Sequence, residues 1–234
     1  MLCDLVARDF ALHQAQRDSL VQAALTMNVS MTVLQDQMAT QYARPDADQK
    51  RVIKQHSADS ATLLIGKGIT DALWLEVVQH HHLEDALQQP WENLVLPRQL
   101  AFILHVVDRY AALISPRQSR EGQSATDSAH KLLETSSGRN NTVEQALIRI
   151  VGLCPPGTFV LLKDKRVAIV TRRTQQPNQP DVAVVMDQQG KLIRPPLLHH
   201  TTDGAAGIES ALLSSAVQER ISHHLILQLG RHPE

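Results

Sequence analysis

The sequence predicts a mainly α chain, a helical bundle followed by a small antiparallel β-meander and a C-terminal helix. Three observations carry this. Apolar residues recur at three- and four-residue intervals from residue 4 to about 153, the stripe of amphipathic helices. The texture breaks at Cys154-Pro155-Pro156-Gly157, after which short β-branched runs follow. With 43% hydrophobic but only 3% aromatic residues, the core must be aliphatic.

The elements can be justified in order. Arg44-Pro45-Asp46 opens a helix that runs to about Gly66 and is stopped by Gly66-Lys67-Gly68. Asp71 to His82 forms another, with Leu73, Val77 and His80 on one side. The longest stripe is Leu100, Ile103, Leu104, Val107, Ala111 and Ile114, with Pro97 suited to its first turn and Pro116 to its exit. Thr142 to Val151 closes the helical part, with Thr142 as N-cap and Glu144 in the first turn. Thr158 to Leu162, Val167 to Thr171 and Val182 to Met186 are the strands, joined by the solvated turn Lys163-Asp164-Lys165 and the link Gln175 to Pro180. Asp187 to Gly190 turns into Lys191-Leu192-Ile193, and the tail from Ala205 to about Ile221 reads as helix. The domains expected are 1–153, helical, and 154–234, the meander with its helix.

Composition narrows the function classes. A net charge of -1 without a basic stripe argues against nucleic acid. Cys3 and Cys154 form no CxxC pair, which fits reduced thiols. The start lacks a secretory pattern, and Ser19 to Gln35, though uncharged, carries too many Gln, Ser, Thr and Asn to span a bilayer. The expected location is the cytoplasm, away from membranes.

Twelve histidines are many for this length. His80-His81-His82 ends one helix, His56 sits within an earlier one, and His105 and Asp108 lie one turn apart on a third. On a helical projection His80 falls in the middle of the Leu73/Val77 stripe and Asp108 at the edge of the next helix's stripe. Buried imidazoles and carboxylates need partners. One divalent ion (Zn, Mn, Fe or Ni) would satisfy them, and so would hydrogen bonds within a polar core. Met27, Met31 and Met38 read as core methionines, and Trp74 and Trp91 as packing residues. His199-His200 and His223-His224 read as surface or packing residues.

In this order the features resemble the HD-GYP family of HD-domain phosphohydrolases, which open cyclic di-GMP. Leu73-Trp74-Leu75-Glu76-Val77-Val78-Gln79-His80-His81 resembles the family's LxxVxxHHE, and His56-Ser57 its His-Pro. Asp85 and Pro90 match the Asp before GxGYP and its proline. Val106-Val107-Asp108-Arg109-Tyr110-Ala111-Ala112-Leu113 resembles VADxFDAL, and the segment from Ser115 to Arg120 resembles SDRPYR. The segment from Val151 to Thr158 is similar to GxYPPGT. The resemblance, over roughly residues 10 to 195, implies an HD-domain-like bundle, with His56, His80, His81 and Asp108 as metal ligands and Arg117 and Arg120 beside the substrate phosphates.

The departures are as informative. The family's HD doublet falls in Ala23-Ala24-Leu25-Thr26-Met27-Asn28-Val29-Ser30-Met31, so its His is Met27, its Asp is Asn28 and its Lys is Met31. The GxGYP loop becomes Ala86-Leu87-Gln88-Gln89-Pro90. With about 26 residues before Met27, the family's first helix is expected to be largely missing. The family's two or three metals share carboxylate bridges. Asn28 keeps the shape of the bridging Asp without its charge, and a thioether is a poor ligand for hard ions. The reading is a catalytically degenerate signalling domain, leaning away from enzyme. It would act through a protein partner or homodimer, or by binding a cyclic dinucleotide or one metal ion without hydrolysis. The alternative is a weakly active metal-dependent phosphodiesterase acting on cyclic di-GMP or a related phosphoester.

Overall fold

The computed structural model describes residues 1–82, 89–115, 118, 122–135, 141–152, 154–174, 176, 179–202, 207–213, 217 and 221–231. They form two compact units, one comprising Met1–Gly122 and His130–Ile150, the other Gln123–Ala129 and Val151–Glu234.

The helical elements are α1 (Leu2–Asp9), α2 (Gln14–Thr26), α3 (Thr32–Thr40), α4 (Ala47–Gly66), α5 (Ala72–His80), α6 (Leu96–Ile114), α7 (Ala125–Thr135) and α8 (Thr142–Val151). Short 3-10 turns stand at Val29–Met31 and Trp91–Asn93. Within the first unit α5 is central, packing on α2, α4 and α6, while the Val29–Met31 turn packs on α4.

Local chemistry fixes the frame around α5. Asp46 caps α4 by accepting from the Gln49 amide at 2.8 Å, and Gln49 Oε1 accepts from the Asp46 amide at 3.1 Å, a capping box. At the other end Gly68 adopts φ +86°, and the Ile69 and Gly68 amides donate back to the Leu64 and Ile65 carbonyls, a Schellman stop that only a left-handed residue completes. Asp71 caps α5 through the Trp74 amide and accepts from the Ser19 hydroxyl at 2.7 Å, which ties α5 to α2. Burial would raise the Asp71 carboxyl, but the hydrogen bonds from Trp74, Ser19 and Leu73 outweigh it and hold it below its usual range.

The aliphatic core expected from composition is present: Leu100, Ile103, Leu104, Val106 and Val107 of α6 are buried, with Val77 and Val78 of α5 and Leu20 of α2. Each buried side chain of this kind contributes roughly 1.5–3 kcal/mol relative to exposure. Met31 and Met38 are buried. Trp91 is buried against Phe10, ring centroids 4.4 Å apart, while Trp74 donates to the Thr26 hydroxyl at 2.8 Å. The face of α5 differs from the expectation. Val77, Val78 and His81 are buried, and His80 is only half-buried. Apolar residues surround this helix on most sides, so periodicity alone did not define its inner face.

In the second unit β1 (Phe159–Leu162), β2 (Val167–Arg172), β3 (Asp181–Met186), β4 (Leu192–His200) and β5 (Ile208–Leu212) form an antiparallel sheet of order β4-β3-β2-β1-β5. The period-2 alternation gives two apolar faces. One gathers Val160, Leu162, Ala168, Val170, Val182 and Val184; the other gathers Ile169, Ala183 and Val185 against Ile226 of α9 (His223–Arg231). The described part of the tail corrects the expectation of helix from Ala205 to Ile221, residues 205–206, 214–216 and 218–220 lying outside the described residues. Residues 208–212 are instead a strand paired to β1, and the helix starts at His223. Ile-Glu-Ser-Ala-Leu has residues that favour helix in isolation, but the open edge of β1 supplies a ladder of backbone partners that outweighs weak propensity.

Asp181, 2% exposed, accepts from Arg172 Nε at 2.9 Å and Nη2 at 2.6 Å, and from His200 Nδ1 at 2.8 Å. Burial raises its pKa, but the bonds and charges of His200 and Arg172 lower it further, leaving a net depression. His200 thus has a specific partner that its sequence context did not reveal.

Candidate metal centre

α4 and α5 bring three imidazoles together. His56, in the middle of α4, is 3% exposed, and His81, the C-cap of α5, is 1% exposed; His82, on the following turn, faces solvent. Their ligand nitrogens all lie within 4.8 Å of one another. The rings of His81 and His82 are 4.1 Å apart and that of His56 meets both edge-on, at 5.2 and 4.9 Å.

Each buried ring has one nitrogen committed. His56 Nδ1 lies 2.5 Å from the Ile53 carbonyl, and His81 Nδ1 lies 2.7 Å from the Val78 carbonyl. A carbonyl can only accept, so each Nδ1 carries the proton and each Nε2 presents its lone pair. Those two Nε2 atoms stand 3.3 Å apart. Two lone pairs so directed repel, and a cation shared between them, a proton or a metal ion, makes the contact attractive. A metal fits the spacing: two imidazole nitrogens at ~2.0–2.1 Å from a tetrahedral Zn²⁺ are ~3.3–3.4 Å apart. Backbone carbonyls holding the far nitrogens are also how metal-binding histidines are oriented.

The electrostatics favour neutral rings at His81 and His82. Burial, the charge of His82 and those of His56 and His105 push His81 down to about 3, against the opposing pull of the Val78 carbonyl. Burial, His56 and His105 push His82 down to about 4. At pH 7 His81 and His82 therefore hold their nitrogen lone pairs without proton competition. Neutral imidazole is a donor for Zn, Mn, Fe or Ni, and the three histidines, with a solvent-facing side, match an open three-histidine site.

Of the residues singled out in the sequence, His56 and His81 belong to this group; His80 and Asp108 do not. His80 ends α5 half-buried, its pKa lowered by burial and by Arg98 against the influence of Glu76. Asp108 is half-buried on α6, near enough to Cys3 to raise its thiol, which burial chiefly drives up to about 11. Met27 caps the end of α2, and Asn28 joins it to the Val29–Met31 turn. That turn is fastened to α4 beside His56: the Ser30 hydroxyl donates to the His56 carbonyl at 3.0 Å and is 2.9 Å from the Ser60 hydroxyl, which accepts from the Ser30 amide. Arg117, Arg120 and the segment Asp85 to Gln88 lie outside the described residues.

His82 was missed. A run of three histidines leaves the motif's register ambiguous by one: taking Val78 rather than Val77 as the valine of LxxVxxHHE places its histidine pair on His81-His82. The face of α5 decides the geometry: His81 keeps a helical backbone conformation at the C-cap and follows the buried Val77 and Val78 by four and three residues, so it shares their inner face.

Comparison with known proteins adds one relative. The chain is 27% identical over 124 residues to the cyclic di-GMP phosphodiesterase PA4108 of Pseudomonas aeruginosa, a match covering 51% of this chain and 29% of that protein. The match thus spans under a third of the relative's length. No family model matches the chain, and no solved structure matches it significantly. The similarity indicates a distant relationship to a cyclic di-GMP phosphodiesterase. Among the described residues no helix is long and apolar enough to cross a membrane.

Proposed function

We propose that the chain is a catalytically degenerate HD-GYP-like signalling domain that holds one divalent ion at His56, His81 and His82 and answers to a cyclic dinucleotide or a protein partner without efficient hydrolysis. The observation that carries this is the pair of Nε2 atoms 3.3 Å apart with both Nδ1 atoms tied to carbonyls, in a chain whose neighbouring turn carries Met27 and Asn28 in place of a His-Asp doublet. The distant similarity to a cyclic di-GMP phosphodiesterase supports the ligand class.

A bound ion would supply Lewis acidity toward a phosphate oxygen. The chain's own residues orient the donors: the Ile53 and Val78 carbonyls fix the tautomers, and Ser30 and Ser60 fasten the Met27–Met31 segment to α4. Asn28 offers a neutral oxygen where a second ion would need a shared anion, so repulsion between cations limits the site to one. On the strength of the resemblance alone, Asp108 would add a carboxylate near this site. Arg117 and Arg120 suit phosphate as guanidinium forks, on the strength of the resemblance.

One observation favours the alternative of weak phosphodiesterase activity: His82 faces solvent, so an ion there would be reachable by a phosphoester. Metal analysis of protein purified without chelator, with incubation in cyclic di-GMP and Mn²⁺ or Fe²⁺, separates the readings. The expected result is one ion per chain and calorimetric binding of the dinucleotide without turnover. Turnover that vanishes in His81→Ala would establish the alternative, and two ions flanking Asn28 would overturn the degenerate reading.

A further inference from the structure

The last carbonyls of a helix have no donor within it. At the end of α5 one such carbonyl is that of His81, and it belongs to the peptide that joins His81 to His82. α6 supplies its donor: His105 Nδ1 lies 2.9 Å from the His81 oxygen. The carbonyl only accepts, so His105 donates from Nδ1. The same ring meets His82 edge-on, centroids 5.9 Å apart and planes at 87°. His105 itself is half-buried on α6, so its ring is held close to the end of α5.

We propose that His105 is a positioning residue for the candidate metal centre: by holding the carbonyl between His81 and His82 and backing the His82 ring, it sets the spacing at which those two imidazoles face His56. One hydrogen bond acts on both donors, because rotating that peptide plane would move the two rings in opposite directions. The inference rests on the metal reading above, and it assigns His105 to the peptide rather than to the ion.

Asparagine and glutamine separate these roles. The Asn amide nitrogen falls close to imidazole Nδ1 and can donate to the same carbonyl; Gln reaches farther, toward the place of Nε2. His105→Ala, His105→Asn and His105→Gln are made in the full chain, checked for helical content by circular dichroism, and titrated with Co²⁺. His105→Ala is expected to weaken cobalt binding about 10- to 100-fold, the range for loss of a hydrogen bond that orients a ligand. His105→Asn should return most of that affinity with unchanged d–d bands, and His105→Gln should not. A band shift in saturated His105→Asn, or rescue by Gln but not Asn, would make His105 a ligand and overturn the proposal; full affinity in His105→Ala would overturn it as well. If His105→Ala does not fold, the Asn and Gln arms decide alone. Imidazole nitrogen NMR of the metal-free proteins keeps the two readings distinguishable. Should the wild type take up no cobalt, the metal reading fails. His81 and His82 ring signals disturbed in His105→Ala and restored in His105→Asn would still establish the positioning role, and signals alike in every variant would overturn it.

Discussion

His81 is 1% exposed, and burial with the neighbouring imidazoles pushes its ring down to about 3. An unfolded chain protonates the same ring near 6.5. Between those values the unfolded state binds one more proton than the native state, so stability is fully present above about pH 6.5, falls as pH drops, and is exhausted near the folded pKa. At about 1.4 kcal/mol per pH unit, the loss from pH 6.5 to 4.5 comes to about 2–3 kcal/mol. Single domains have only about 5–15 kcal/mol to lose. Urea denaturation with a chelator present, at half-unit steps from pH 7 to 4.5, should show the wild type losing this increment relative to His81→Gln, whose amide does not titrate. The depressed carboxyls Asp71 and Asp181 act elsewhere: their contribution is present above the ordinary carboxylate range and is lost only as pH falls through their lower folded values. His82 shifts in the same sense as His81 but faces solvent, where screening shrinks the effect. Parallel stability curves for the two proteins between pH 6.5 and 4.5 would refute the account of a neutral, desolvated His81.

Three further outcomes are expected. Introducing a His-Asp doublet as Met27→His with Asn28→Asp should raise the Mn²⁺ stoichiometry above that of the wild type by elemental analysis; an unchanged ratio would count against the want of a bridging carboxylate as what limits the proposed site to one ion. Gly68→Ala should lower stability by about 1 kcal/mol in urea titration, because φ of +86° strains any β-carbon while no neighbour obstructs it. Asp181→Asn should cost about 1–3 kcal/mol in chemical denaturation, since the amide cannot match a carboxylate between Arg172 and His200; stability equal to wild type would mean that the three-residue network contributes little.

What the sequence revealed follows physical lines. Helix α4 was legible because its start and stop are local chemistry, Asp46 with Gln49 at one end and Gly68 at the other. The meander was legible because its strands are short β-branched runs; in the sheet Val167 and Ile169 fall on one face and Val182 and Val184 on the other. Residues 208–212 were not, because their strand state depends on β1, which lies some fifty residues earlier in the chain. Of the three clustered imidazoles, the order of motifs singles out His56 and His81, while His82 lies within a histidine run whose register the sequence leaves open. The His105 contact could not be read at all, since a hydrogen bond to a carbonyl 24 residues away leaves no trace in periodicity.

On the proposed reading, the difference between this site and a centre of several ions has an electrostatic logic. A centre of two or three cations depends on anionic oxygens between them, and the doublet segment, where such a carboxylate would stand, here carries Met27 and Asn28. A single cation has no such need. Neutral imidazoles suffice for it, provided that they are desolvated enough to stay unprotonated and are turned so that their lone pairs converge. Burial accomplishes the first for His81, and the carbonyls of Ile53 and Val78 accomplish the second for His56 and His81. Those features would be costly in a plain structural core, because two Nε2 atoms at 3.3 Å gain nothing from each other without a shared cation. A polar core under no such demand would rotate one ring and pair a donor with an acceptor. Both rings are instead held against that rotation by their Nδ1 bonds, and this locked mismatch, more than the number of histidines, is the argument for an ion.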